Sequence, residues 1–283
     1  MKRSADEVVQ GEDLDLLIGS RKSGDAGQSE RVKHNILQIL DRKYGITESD
    51  LISAELEAVP AFPARDLGLD GSMIGAYGHD DRVCAYPALT ALLACKTPRH
   101  TAVTILADKE EVGSNGNTGM RSAFTQDFIA DLAAAFGEEG RHVTPNSRCL
   151  SADVIATLDP LYSQVADIRN IAALSHGVVL SKYRGSGGKH ETNDASAELM
   201  AEVRRLLDDA NVLWQIGEVG KVDEGGGRTV AHFVANLNID TVDLGVPVLS
   251  MHSPLEVVSK MDVFMAYRAF SAFFNRSPAG TCI

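Results

Sequence analysis

Thr101-Ala102-Val103-Thr104-Ile105-Leu106-Ala107-Asp108-Lys109-Glu110-Glu111-Val112-Gly113-Ser114 decides the fold. Its first six residues are an apolar, β-branched run, which reads as a strand buried in a parallel sheet. Two adjacent carboxylates then stand where the strand ends and Gly113 opens a loop. In open α/β sheets, chemistry is built at the ends of strands. Neighbouring side chains there point in different directions. One carboxylate can therefore hold a metal while the other handles a proton. A lone Glu-Glu pair reads equally as a solvated acidic turn, so the rest of the chain has to decide.

Outward from this stretch, strands and helices alternate. Val32 to Tyr44 reads as a helix closed by Gly45, and Leu51 to Val59 as a strand stopped by Pro60 and Pro63. A boundary is expected near Ala64, giving domains 1–64 and 65–283. Beyond it the pattern predicts a helix from Arg82 to Cys95 and the strand before Asp108. A helix from Met120 to Phe136 and short strands at Cys149–Asp153 and Gly177–Tyr183 follow. Asp194 to Asp208 reads as a helix capped by Asp194, Val212–Ile216 as a strand, and Thr229–Leu237 as helical. Thr241–Ser250 reads as a strand, and Pro254–Phe274 as a last helix capped by Ser253. The expected class is α/β, with a central, mostly parallel or mixed sheet flanked by helices.

Composition narrows the function. The chain has 283 residues and a formal net charge of −12, which argues against nucleic acid or an anionic membrane as the main partner. Four scattered cysteines form no C-x-x-C pair, so reduced thiols and a cytoplasmic location are expected, not a Cys-rich zinc site. The start has no apolar signal region, and no run is long and apolar enough to span a bilayer. The residues up to about Glu30 are polar and acidic and are expected to be loose.

Four places put a metal-capable residue beside a strand end or tight loop: Gly78-His79-Asp80-Asp81, Glu110-Glu111, Ser151-Ala152-Asp153 and Ser250-Met251-His252-Ser253. Carboxylates with imidazole suit zinc, manganese or cobalt. A metal pair about 3.5–4 Å apart needs a bridging carboxylate and terminal ligands on each side. Singly, each place has an ordinary use: Asp80 or Asp81 as a helix cap, Asp153 as a turn residue, His252 as a buried, satisfied imidazole. Together they favour a hydrolytic metal site.

Gly75-Ala76-Tyr77-Gly78-His79-Asp80-Asp81-Arg82-Val83-Cys84-Ala85-Tyr86, the Asp108–Ser114 stretch, Ser151-Ala152-Asp153, Asp240–Pro247 and Ser250–Ser253 occur in the order of the aspartyl aminopeptidase family, which includes vacuolar aminopeptidase I. The chain resembles that family from Gly11 to Phe274. The resemblance implies a dizinc exopeptidase fold, a peptide substrate with an acidic or neutral N-terminal residue, two zinc ions per complete site (manganese or cobalt as substitutes) and a homo-oligomer, a dodecamer in the family. By the same resemblance Asp80 is the bridging carboxylate, Glu110 the general base, and Glu111 and His252 terminal ligands of one zinc. Asp153 is a ligand of the second. That second zinc takes its His from an H-x-D motif that has no counterpart here. The resemblance places Met1 inside the family's inserted dimerisation domain, with 1–64 a remnant of it and the first half of the catalytic domain upstream.

Lys182, Gly226 and Asp243 are candidate substrate-side residues. Gly226 sits in a Gly-rich turn whose N–H groups can bind an anion, and Asp243 precedes His252 on its strand. Two other functions compete. One is a non-catalytic partner that only assembles with homologous chains. The other is a nucleotide-binding protein using Arg184-Gly185-Ser186-Gly187-Gly188-Lys189-His190, although a phosphate-binding loop needs Ser or Thr where His190 stands.

Overall fold

The computed structural model describes residues 11–24, 27, 29–187, 190–221, 223 and 225–276. Much of the polar N-terminal segment, Met1–Gln10 included, lies outside them. The chain divides into two compact units, Met1–Val59 and Pro60–Ile283.

The first unit is built on helix α1 (Arg31–Tyr44). Gly45 ends it in the left-handed conformation; its N–H bonds Asp41 O and the next N–H, of Ile46, bonds Leu40 O, a glycine C-cap. The strand expected at Leu51–Val59 does not form. Asp50–Ile52 is a short 3-10 turn and the residues after it are irregular and mostly exposed. No ladder partner exists for them among the described residues, and alternation alone does not make a strand.

In the second unit the elements run β1 (Arg65–Leu67), β2 (Met73–Ala76), α2 (His79–Ala94), α3 (Phe124–Ala135), α4 (Gly140–Val143), β3 (Arg148–Ser151) and β4 (Ile155–Ala156). They continue as β5 (Val178–Ser181), β6 (Tyr183–Ser186), β7 (His190–Asp194), α5 (Ala197–Asp209), β8 (Trp214–Ile216), α6 (Ala231–Ala235), β9 (Asp240–Gly245), β10 (Pro247–Leu249), β11 (Glu256–Ser259) and α7 (Lys260–Phe274). One mixed sheet has the order β1-β2-β11-β10-β4, another β3-β9-β5-β8, and β6 and β7 form a hairpin. Two chain segments serve both sheets. Cys149 pairs in parallel with Thr241, and further along Ile155 pairs in parallel with Pro247.

The core is the expected apolar material. Val178, Leu180, Val242, Leu244, Val246, Val248 and Val258 from the strands are buried with Leu199, Val203 and Leu207 of α5 and Ala266, Ala269 and Phe270 of α7. Helix α2 packs on α7 through a face that buries Val83, Cys84 and Ala91, while Tyr86 and Leu93 on other faces stay exposed.

Three expectations are corrected. Thr101–Leu106 is not a strand: it has no ladder among the described residues, and Ile105 and Leu106 are exposed. The last helix does not start at Pro254. Residues Glu256–Ser259 are taken into the sheet between β10 and β2, so α7 begins at Lys260 with Ser259 as its N-cap. Helix α5 is capped by Ser196, whose hydroxyl accepts from Leu199 N, and not by Asp194, which lies in β7.

Candidate metal centre

Each candidate ligand is placed by an identifiable element. Asp80 and Asp81 lie in the irregular lead of α2, after Gly78 turns the chain in the left-handed conformation (φ 76°). Glu110 and Glu111 sit on a tight turn in which Gly113 N bonds Glu110 O at 2.9 Å and Ser114 N bonds Lys109 O at 2.8 Å. Asp153 lies between β3 and β4. Strand β9 approaches it so closely that a Cβ on Gly245 would collide with the Asp153 carbonyl, so only glycine fits there. His252 follows β10 on a loop.

Lys109, Ser114, Ser250 and His252 all have positive φ, between 57° and 65°. Non-glycine residues held there cost of order 1 kcal/mol each and cluster at functional sites.

The structure brings the predicted ligands together. His252 Nε2 lies 2.8 Å from Glu111 Oε1 and 3.0 Å from Asp80 Oδ2. Donor atoms of Asp80, Glu111 and His252 all fall within 4.8 Å of one another, and so do those of Asp80, Asp81 and Asp153. Asp80, Glu110, Glu111, Asp153 and His252 line one pocket, together with Arg121, Arg184, Gly227–Val230 and His232.

The electrostatics are those of a crowded acidic cluster that Arg184 relieves only in part. Burial, then the charges of Asp153 and Glu111, push the Asp80 carboxyl up to about 7. Burial, then Asp153 and Asp80, also raises Asp81, one of whose oxygens is buried with no hydrogen-bond partner. Glu110 is raised by burial and then by Asp153 and Glu111. Carboxylates crowded this way resist ionising together unless a cation joins them. Two carboxylates and an imidazole converging on one point form a donor set that fits zinc.

Two residues that sequence reasoning missed hold the site in shape. Glu256, 2% exposed, accepts from His252 N at 2.8 Å with one oxygen and from Asp80 N at 3.0 Å with the other. Arg184, on β6, places Nη1 2.6 Å from Asp153 Oδ2 and donates from Nη2 to Val154 O at 2.8 Å. In the sequence Glu256 falls within the expected Pro254–Phe274 helix and Arg184 within the Gly-rich loop, so neither carries a signal.

The other candidates lie elsewhere. His79 is turned to Ile74 O at 3.1 Å. Lys182 is paired with Asp194 and bonds Ala195 O at 2.6 Å; it does not line the pocket. Gly226 is not a lining residue, though Gly227, Arg228 and Thr229 beside it are. Asp243 is fully buried and accepts from Thr229 Oγ1, one step behind the pocket wall. The Gly-rich loop joins the antiparallel strands β6 and β7, with Gly188 and Lys189 outside the described residues. It opens no helix, so the strand–loop–helix frame of a phosphate-binding loop is absent there.

A family model described as "Aminopeptidase I zinc metalloprotease (M18)" matches residues 2–274. The chain belongs to the M18 aminopeptidase I family. The "Probable M18 family aminopeptidase 1" of Clostridium acetobutylicum is 47% identical over 279 residues, covering 97% of this chain and 60% of that one. The crystal structure of the M18 aminopeptidase from Thermotoga maritima superposes with a TM-score of 0.92 at 42% identity, covering 98% of this chain and 62% of that one. The S. cerevisiae mApe1 dodecamer shares the fold, with a TM-score of 0.71 at 24% identity over 85% of this chain and 54% of that one. This M18 chain therefore spans about three fifths of the length of the bacterial relatives it matches. Among its described residues, no helix is long and apolar enough to cross a membrane.

Proposed function

We propose that this chain carries the hydrolytic centre of a zinc-dependent aminopeptidase that releases acidic or neutral N-terminal residues from peptides. The observation that supports it most is the convergence of Asp80, Glu111 and His252 in a pocket that also holds Glu110, in a chain of the M18 family. Zinc bound by these three, with manganese or cobalt as substitutes, would polarise a peptide carbonyl and make water a better nucleophile at neutral pH.

The chain's own residues do the rest. Glu110 takes the proton of the attacking water and delivers it to the departing amine. Before any ion is bound, burial and then the charges of Asp153 and Glu111 raise its carboxyl above the ordinary value, and a positioned carboxylate can both accept and return a proton. Glu256 holds Asp80 and His252 in register, and Asp243 steadies Thr229 in the pocket wall.

The Thr101–Leu106 segment, which has no ladder among the described residues, favours a second reading. In it the chain reaches full activity only when a further polypeptide, in cis or in trans, completes the sheet, and the 1–64 region serves assembly into a homo-oligomer in the cytoplasm.

The test is Glu110→Gln, assayed on aminoacyl anilides with zinc content measured alongside. Hydrolysis should fall by about 100-fold or more with the metal retained, since the amide cannot take the proton. Zinc lost together with activity would make Glu110 a ligand and overturn its assignment as the base.

A further inference from the structure

We propose that Arg184 holds the place of a second metal ion in this chain. Its guanidinium compensates Asp153, and the centre binds one ion tightly, at Asp80, Glu111 and His252. The inference rests on the metal-centre reading above and refines it.

Arg184 is only 5% exposed, and it lines the same pocket as the ligands. Nη1 forms an ion pair with Asp153 at 2.6 Å, although its N–H bonds are not aligned for a hydrogen bond. Nη2 is anchored on Val154 O at 2.8 Å. Nε is buried without a hydrogen-bond partner. A guanidinium cannot shed its proton, so it stays a cation wherever it is buried. Removal from water is costly for such a group unless anions oppose it. Its position is therefore set by the acidic cluster, whose charge it offsets in turn.

The two possible donor sets are not equivalent. Asp80, Glu111 and His252 combine carboxylates with an imidazole, and Glu111 and His252 are exposed enough to receive an ion from solvent. Asp80, Asp81 and Asp153 offer carboxylates only, share Asp80 with the first set, and meet Arg184 at Asp153. His79 adds nothing to the second set, being bonded to Ile74 O. A divalent ion at Asp153 would share that carboxylate with a fixed cation, and like charges at that spacing repel strongly in a partly buried site. A merely structural ion pair would leave the ion count unchanged when removed, which separates the two roles.

The experiment is a Co2+ titration of the metal-stripped, full 283-residue chain, followed by equilibrium dialysis and the cobalt visible spectrum. Folding is checked by circular dichroism. The wild type should take one tight ion, with any second ion weaker by about 100-fold or more. Arg184→Gln should tighten the second step by about tenfold or more, the size of change that groups behind a ligand commonly produce. Arg184→Lys, which keeps the cation, should leave it weak. Asp153→Asn should leave the first ion bound within about threefold, because that carboxylate serves Arg184 rather than the ion.

Two ions of similar affinity in the wild type would overturn the inference while sustaining the metal centre. A folded Arg184→Gln chain with an unchanged second step would also overturn it. Should Arg184→Gln fail to fold, Asp153→Asn decides: loss of a tight ion there overturns the proposal. No ion bound by the wild type would overturn the metal-centre reading and this inference with it.

Discussion

Glu256 is bonded to two backbone positions 172 residues apart, Asp80 and His252, one through each carboxylate oxygen. Both are candidate ligands, so the angle between their side chains depends on this one buried acid. Glu256→Gln replaces one acceptor oxygen by an NH2 that confronts an N–H. The expected result is metal binding weakened by about tenfold or more, and a loss of stability of about 2 kcal/mol for a buried hydrogen bond to a charged group. Calorimetric metal titration and urea denaturation measure the two. Unchanged metal affinity would show that His252 and Asp80 are oriented by something else. Asp80, Glu110, Glu111, Asp153 and His252 were legible in the sequence because each combines a ligand-type side chain with a strand end or tight turn. Glu256 was not. It reads as one polar position in an apolar run, and its partner Asp80 becomes a neighbour only after the sheet has formed.

Among the elements, the start of α7 shows how tertiary pairing overrides a local signal. Ser253-Pro254 is a sound helix-opening pair by propensity. The next residues, Leu255-Glu256-Val257-Val258-Ser259, are β-branched enough to be recruited by antiparallel partners on both sides, Val248 and Ile74 flanking Val258. The helix is thereby delayed to Lys260. Its cap, Ser259, is buried, accepts from Met261 N at 3.3 Å, and is met by the Ser175 hydroxyl at 3.0 Å. Ser259→Ala should cost about 1–2 kcal/mol, read as a lowered urea midpoint with an unchanged slope. A neutral result would mean that the α7 N-terminus is held by packing alone. The strand expected at Thr101–Leu106 fails for the complementary reason. Its composition is right, but a strand exists only through a neighbour, and none of the described elements supplies one. Helix α1 and the core strands β5 and β9 were legible because a glycine cap or a run of valine and leucine leaves few alternatives.

For the molecule as a whole, the acid balance fixes how stability responds to pH. Asp243 is fully buried. Burial pushes its carboxyl up to about 6, against the partial relief of Arg184 and the Thr229 hydroxyl. The folded state therefore binds this proton more tightly than the unfolded state does. The stability it contributes is complete below the ordinary value of 3.8 and is lost as pH rises through about 6. The difference is worth about 3 kcal/mol. Asp243→Asn keeps a neutral group there, so the melting temperature of the variant should fall less than that of the wild type between pH 4 and pH 7. Parallel pH profiles for the two would place the burial cost elsewhere. With a net charge of −12, self-repulsion pulls in the same direction as pH rises, and the variant isolates the local part.

The segment that carries Glu110 and Glu111 is closed by backbone hydrogen bonds of its own: Asp108 N to Thr118 O at 3.2 Å, Ser114 N to Lys109 O at 2.8 Å, Arg121 N to Ser114 O at 3.2 Å. An ion shared by Glu111 with Asp80 and His252 would stitch this stretch to the sheet as a removable cross-link. In chain-entropy terms a cross-link from Glu111 to Asp80 closes a loop of about 30 residues and is worth about 3.5 kcal/mol, as a disulfide would be. Part of the affinity for the ion is then spent on ordering the segment. Loading and stripping the metal would tighten and slacken residues 101–123 together, and amide hydrogen exchange there would report it.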